Sequence, residues 1–262
     1  MTFIKHELYI NKKTLFIWSV LMGAVIFVMM LLYPTMQDSI GTMTDIYKNM
    51  GIMTSMFGMD RLDMSTAIGF YGIEMGAMLS IGGGMFAAII GISMLSKEEG
   101  GHTSEYLYVM PKSRSYFITQ KLVAAALLII IYNVVCFVVS ILSFVVIGED
   151  IEMKKLTTFM LSELLMNLQI GAMCFGISAI LRKNNVGLGI GISILFYFIS
   201  MLANVTDKVE KLHYITPYYY CDAAVVMVKE EIPLGHLGIG IGVAAACIVF
   251  AYIFYNKRDL AI

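Results

Sequence analysis

The sequence predicts an all-helical integral membrane protein, on the evidence of its composition, its six long apolar stretches and the charges between them. Of its 262 residues, 59% are hydrophobic and only 14% are charged. Soluble domains are roughly 45 to 50% apolar and about 25% charged. The mean hydropathy of +0.80 agrees. The net charge of −1 argues against nucleic acid as a partner, because phosphate binding requires a basic face.

Six stretches are long enough to cross a bilayer. A hydrocarbon core about 30 Å thick needs roughly 20 apolar residues in a helix, the structure that satisfies its own backbone hydrogen bonds. The predicted spans cover residues 15–32, 73–95, 122–147, 156–181, 186–203 and 237–255. The segments between them are too short for a soluble domain of about 50 residues or more. We therefore predict one transmembrane domain over residues 1–262.

The distribution of Lys and Arg predicts the orientation, since these residues are enriched in cytoplasmic connections. With the N-terminus inside, eleven of the 18 are cytoplasmic: Lys5, Lys12, Lys13, Lys97, Lys112, Arg114, Lys121, Arg182, Lys183, Lys257 and Arg258. We expect a multi-pass protein of a bacterial plasma membrane with both termini in the cytoplasm. Residues 33–72 and 204–236 then form external segments, and residues 97–121 form the one sizeable internal connection.

The N-terminal segment Thr2 to Lys13 has apolar residues at helical spacing, which predicts a helix lying on the membrane surface before the first span. A plain basic tail is the alternative.

Motifs for catalysis and for metal binding do not occur in the sequence. It contains no GxxxxGK[ST] phosphate loop, no HExxH and no GxSxG. Its four cysteines form no CxxC pair, and its four histidines are scattered over different segments. A repeated methionine spacing in residues 50–64 could bind Cu(I), but apolar packing is the favoured interpretation. We expect no catalytic centre, metal or cofactor in this chain.

The internal connection 97–121 has the features of a short presented helix. Thr103 and Ser104 are suited to begin it, Tyr106 and Tyr108 give it an aromatic surface, and Pro111 ends it. Ser113 then caps the next helix, which carries Arg114 and continues through Lys121 into the third span. The alternative is an ordinary interfacial loop with its aromatics among the lipid headgroups.

This connection carries a resemblance to a known family. The run MLSKEEGGHTSEYLYVMPKSRSYFITQKLVAA, residues 94–125, resembles the segment between the second and third spans of type-2 ABC exporter permeases. The layout of six spans is similar as well. So is YITPYYYCDAA, residues 214–224, which matches the proline-containing external segment before the sixth span.

The resemblance implies that residues 97–121 form a coupling helix received by a separate ATP-binding subunit. By position, the coupling residues are Glu98, Glu99, Glu105, Tyr106, Tyr108, Pro111, Arg114 and Lys121, with the two tyrosines bulkier than the aliphatic residues of the pattern. Residues 2–13 correspond to the connecting helix at the membrane surface. Two permease chains, as a homodimer or a similar pair, would join two ATPases, and ATP and Mg²⁺ would bind to the ATPases.

Polar residues inside the spans are candidates for the translocation path or the dimer seam, because ionisable groups at depth usually face a bundle interior. Glu163 and Asn167 lie on one face of the fourth span, and Gly171 continues that face. Asn133 and Glu74 are the other candidates. Alternatively, Glu163, about two turns from the outer boundary, snorkels or is hydrated.

Glycines recur at Gly82 to Gly84 and at spacing of four in the fifth and sixth spans. We interpret them as sites of close helix packing within the chain, with a hinge at the triple glycine as the alternative.

Taken together, the sequence predicts the permease subunit of an ATP-driven exporter of an amphipathic or lipophilic cargo, such as a peptide antibiotic. Two alternatives remain: an ion-coupled secondary transporter in which Glu163 carries a proton, and a membrane scaffold without transport.

Overall fold

A computed structural model describes residues 3–48, Thr54, Met59, and residues 61–100, 113–204 and 207–257. The described part is helical and contains no strand. Six of its helices are long and apolar enough to cross a membrane. The predicted fold class, an all-helical membrane protein with six spans, is thus confirmed.

The six helices are named span 1 to span 6 in chain order. Their bounds are Phe3–Lys48 for span 1, Ala67–Phe70 with the π turn Tyr71–Met75 and Gly76–Gly100 for span 2, Arg114–Ile147 for span 3, Met153–Ser178 for span 4, Val186–Ala203 for span 5 and Leu234–Lys257 for span 6. Between spans 5 and 6 lies the connecting segment, residues 207–229. It contains the 3-10 helices Asp207–Tyr214 and Tyr219–Cys221 and the short helix Ala223–Lys229.

Span 1 differs most from its predicted bounds. The surface helix predicted over residues 2–13 is helical from Phe3, but it is not a separate element, since the same helix continues to Lys48 with Pro34 inside it. The segment predicted as external, 33–72, is therefore helical at both ends. Hydropathy detects only the part of a helix that lies in lipid, so it gave no sign of the polar extensions.

Capping residues define the ends of span 3. Ser113 accepts a hydrogen bond from the backbone of Tyr116 at 3.3 Å, which confirms the predicted cap. At the other end Gly148 adopts φ 78°, a left-handed conformation that costs glycine little, and its N–H donates to the Phe144 carbonyl at 3.1 Å.

Span 2 lies at the centre of the bundle. In its apolar window 72% of the residues are buried within the chain, compared with 22% for span 5 and 11% for span 6. The triple glycine explains how one helix accommodates so many neighbours. A Cβ at Gly82 would lie 2.6 Å from Met22 of span 1, one at Gly83 would lie 2.6 Å from Asn167 of span 4, and one at Gly84 would meet the connecting segment. The predicted role of these glycines in packing is confirmed.

The even number of spans places Phe3 and Lys257 at one end of the bundle, which we call the terminal face. The end of span 2, the beginning of span 3 and the turn between spans 4 and 5 belong to this face as well. The connecting segment and the turn between spans 3 and 4 lie at the opposite face.

Candidate functional site

A buried ion cluster lies at the terminal face, around Glu7 of span 1. The Glu7 side chain is fully buried and accepts hydrogen bonds from two ammonium groups. Lys121 of span 3 donates to Oε1 at 2.9 Å, and Lys97 of span 2 donates to Oε2. Lys121 is itself only 1% exposed, whereas Lys97 is 20% exposed. One carboxylate therefore joins three helices.

Further contacts of Lys121 offset the cost of removing its charge from water. Its ammonium also donates to the Met94 carbonyl at 2.8 Å and lies 5.7 Å from the centre of the Phe3 ring. Phe3 packs edge-on against Phe117, with 5.2 Å between the ring centres. A buried ion pair is stable only where such additional bonds satisfy both partners.

The ion cluster contains the first and the last residue of the predicted coupling region. Lys97 stands at its start and Lys121 at its end, and both contact the same side chain of span 1. Arg114, the first residue of span 3, donates to the Asn256 carbonyl at 3.3 Å, and Asn256 donates to Ser115 at 3.0 Å. The beginning of span 3 is thus attached to span 1, span 2 and the end of span 6.

The structure tests the predicted coupling residues only in part. Glu105, Tyr106, Tyr108 and Pro111 lie outside the described residues, as do the side chains of Glu98 and Glu99. The two coupling residues whose side chains the structure describes differ in exposure. Arg114 is partly exposed, whereas Lys121 is buried. Their role in coupling stays a prediction.

A second polar group lies deep in the bundle, where span 4 faces span 2. Glu163 is 2% exposed, and Ser80 donates to its Oε1 at 2.5 Å. Its other oxygen, Oε2, is buried and has no hydrogen-bond partner among the described residues. Glu163 therefore does not snorkel to the membrane boundary.

Asn167 continues the same face, one turn further along span 4. It donates to Asn133 Oδ1 at 3.2 Å, and Asn133 donates to the Ile129 carbonyl at 2.9 Å. The sequence thus identified a shared face of Glu163, Asn167 and Gly171, and that face packs against span 2. Glu74 stands apart from this group, partly exposed in the π turn of span 2.

Tyrosines of the connecting segment complete the polar interior. Tyr220 donates to Gln169 Oε1 at 2.7 Å, and Tyr218 is hydrogen-bonded to Ser193 of span 5 at 2.7 Å. Burial raises the pKa of both phenols, so both remain protonated. The connecting segment is consequently anchored to spans 4 and 5.

An apolar cavity of about 520 Å³ lies between spans 3, 4 and 6. Its walls are mainly alanine, leucine and isoleucine side chains, and Gln169 and Tyr220 are its polar members. Ligand sites commonly combine such an apolar lining with a few fixed polar groups.

The sequence of the whole chain identifies its family. The profile of the ABC-2 family transporter proteins matches residues 1–260. The chain belongs to the ABC-2 transporter family. It is therefore a permease, the multi-pass membrane subunit of an ABC transporter, and permeases of this family normally pair with an ATP-binding subunit. No curated protein matches the chain.

Two members of these polar groups in the ABC-2 permease were missed from the sequence. Glu7 resembles any charged residue of a basic N-terminal segment, and Gln169 lies on span 4 without a charge to mark it. Helical periodicity places Gln169 on the side of span 4 away from Glu163 and Asn167, so the polar face of the helix gave no sign of it. No local signal could have found Glu7, because its partners lie 90 and 114 residues away.

Proposed function

We propose that this permease converts ATP hydrolysis by a separate ATP-binding subunit into export of an amphipathic or lipophilic cargo. The terminal face is cytoplasmic in this proposal, and the loop between spans 2 and 3 receives the ATPase. ATP and Mg²⁺ bind to the ATPase, which supplies the chemistry of phosphoryl transfer. The permease contributes no catalytic group.

The observation that carries the proposal is that the helices on both sides of this loop, spans 2 and 3, are attached to Glu7. A force on residues 98–113 reaches Lys97 at one end and Lys121 at the other. Because both ammonium groups bind one buried carboxylate, spans 1, 2 and 3 would move as a unit. If a single exposed ion pair held the loop, the loop would move without the helices, since such a pair stabilises a structure by only about 0 to 1 kcal/mol.

A second permease chain is supported by the uncovered glycines of spans 5 and 6. A Cβ at Gly191, Gly238 or Gly242 would meet nothing within 4 Å. Our expectation that these glycines pack within the chain is therefore wrong. Small residues at this spacing allow close helix contacts in lipid, and we propose that they lie at the contact between two permease chains.

The cargo class is supported by the cavity between spans 3, 4 and 6. Its volume of about 520 Å³ and apolar walls suit an alkyl or aromatic group. The Gln169 amide and Tyr220 hydroxyl provide polar contacts for an amphipathic molecule.

Co-expression tests the proposal most directly. The chain is produced together with the ATP-binding protein encoded beside it, and we expect the two to co-purify from membranes as an active ATPase. If they do not associate, the proposed function is wrong.

Charge reversal then tests the loop. We expect Glu98→Lys, Glu99→Lys and Arg114→Glu to reduce assembly or ATPase activity while membrane insertion is retained. Glu149→Lys is the matched control, since Glu149 is exposed at the opposite face. Normal assembly, hydrolysis and transport in all three loop variants would assign the docking surface elsewhere.

A further inference from the structure

Glu163 is a buried carboxyl group, and no cationic side chain among the described residues lies beside it. It lies ten residues after Met153, the first residue of span 4, which is about 15 Å along the helix at 1.5 Å per residue. Ser80 donates a hydrogen bond to Oε1, and Oε2 has no partner in the described part of the chain. An ionised carboxylate in such a position is strongly unfavourable unless it is neutralised.

The groups around Glu163 do not neutralise it. The titratable groups that interact electrostatically with it are Tyr71 of span 2, Tyr132 and Cys136 of span 3, Tyr197 of span 5, and Tyr218, Tyr220, Cys221 and Asp222 of the connecting segment. Span 6 contributes Cys247, which faces Cys174 further along span 4. Each of these groups is an acid or is neutral, so neutralisation requires a proton.

A small polar cavity gives access to this position. Its volume is about 60 Å³, and its lining includes Ser80, Ser200, Asn204, Tyr218 and Asp222. A water molecule needs roughly 10 to 15 Å³ of such volume and two to four polar partners. The cavity meets both conditions. It also borders the π turn of span 2, through Gly72 and Ile73, and π turns are frequent at functional sites.

Ser80 connects the cavity to the carboxyl group. Its side chain lines the cavity and donates to Glu163 Oε1 at 2.5 Å. Asn204, Asp222 and Ser200, also in the lining, belong to the end of span 5 and the connecting segment, both at the opposite face. The described polar groups thus run from that face to Glu163.

We propose that Glu163 is a proton-binding site that exchanges its proton with the opposite face of the membrane through Ser80 and the polar cavity. In the transfer, the Ser80 hydroxyl proton moves to Glu163 Oε1 while Ser80 Oγ takes a proton from a hydronium ion that reaches the cavity from the opposite face and is left as water. Serine is neutral before and after, and the carboxylate becomes a carboxylic acid. This site does not depend on the proposed ATPase or cargo.

Infrared spectroscopy of the full chain in oriented proteoliposomes tests the proposal. A protonated carboxylic acid has a C=O stretching band that shifts in D₂O and disappears when the acid ionises. We expect wild-type protein to show a band that Glu163→Gln removes and Glu74→Gln retains. A pH jump imposed at the opposite face should change the band, by proton exchange, faster than the same jump imposed at the terminal face.

The Ser80→Ala variant separates the route from the site. We expect it to keep the Glu163 band but to slow exchange from the opposite face by about 100-fold, the lower range for loss of a positioned proton-transfer group. A spectrum unchanged by Glu163→Gln overturns the site. Should Glu163→Gln fail to fold, the wild-type protein still decides the matter: the absence of an exchanging carboxylic acid band, or faster exchange from the terminal face, overturns the proposal.

Discussion

Lys121 Nζ lies 2.9 Å from Glu7 Oε1, and this contact joins residues 114 positions apart in the chain. Both side chains are almost completely buried. Their burial explains why a site rich in charge can hold helices together: water does not compete for the bond, and leaving either charge alone is costly. The pair stands directly beside the loop that we propose to receive the ATPase.

Removing the carboxylate is therefore expected to destabilise the permease strongly. Glu7→Gln leaves Lys121 buried without a counter-ion, a change that costs about 3 to 5 kcal/mol. We expect a large loss of thermal stability in detergent, measured by scanning fluorimetry. Lys97→Gln is the matched control and should cost less, since Lys97 is 20% exposed. Equal losses in the two variants would contradict the central role of the buried pair.

The double variant Glu7→Gln with Lys121→Met separates stability from coupling. Replacing both charges by groups of similar size should restore much of the stability. If the pair transmits force from the loop, ATPase activity in the assembled transporter should still be uncoupled from transport. If the double variant recovers both stability and transport, the pair has a structural role only and does not transmit force.

Glycines of span 2 should be much less tolerant of alanine than those that face outward. A Cβ at Gly84 would lie 2.1 Å from the Tyr218 hydroxyl, a clash that requires the connecting segment to shift. We expect Gly84→Ala to cost about 1 to 3 kcal/mol of stability. Gly191→Ala is the control, because nothing lies within 4 Å of its Cβ position. It should not lower thermal stability in the separated chain, since alanine is the better helix former.

The hydrogen bond from Tyr220 to Gln169 should contribute measurably to the anchoring of the connecting segment. Tyr220→Phe leaves the Gln169 oxygen without its donor, and we expect a loss of about 0.6 to 2 kcal/mol. Limited proteolysis of the connecting segment should accelerate accordingly. Tyr214→Phe provides the comparison, since Tyr214 is 55% exposed. Faster cleavage in both variants would show that the effect is not specific to this bond.

Filling the apolar cavity tests the proposed cargo class. Ala245 lines the cavity and its neighbour Ala246 does not. We expect Ala245→Phe to reduce transport of a lipophilic dye in proteoliposomes, because the ring occupies space within the cavity. Ala246→Phe, one residue further along the same helix, should transport normally. Undiminished transport with Ala245→Phe would exclude this cavity as a cargo site.

The sequence identified features that depend on local or one-dimensional physics. Apolar stretches predicted six spans, since a helix in lipid must be apolar over its length. Ser113 was identified as a cap because a cap bonds within one turn of its own helix. The common face of Glu163 and Asn167 followed from helical periodicity.

Tertiary structure alone decided which helices meet. Glu7 became a buried ion partner only because spans 1, 2 and 3 converge at the terminal face. Glycines of identical chemistry were divided into packed ones, such as Gly83, and uncovered ones, such as Gly238. The sequence determined that this chain crosses a membrane six times, because hydropathy acts residue by residue. Its polar contacts were decided by packing between segments far apart in sequence, which no local pattern records.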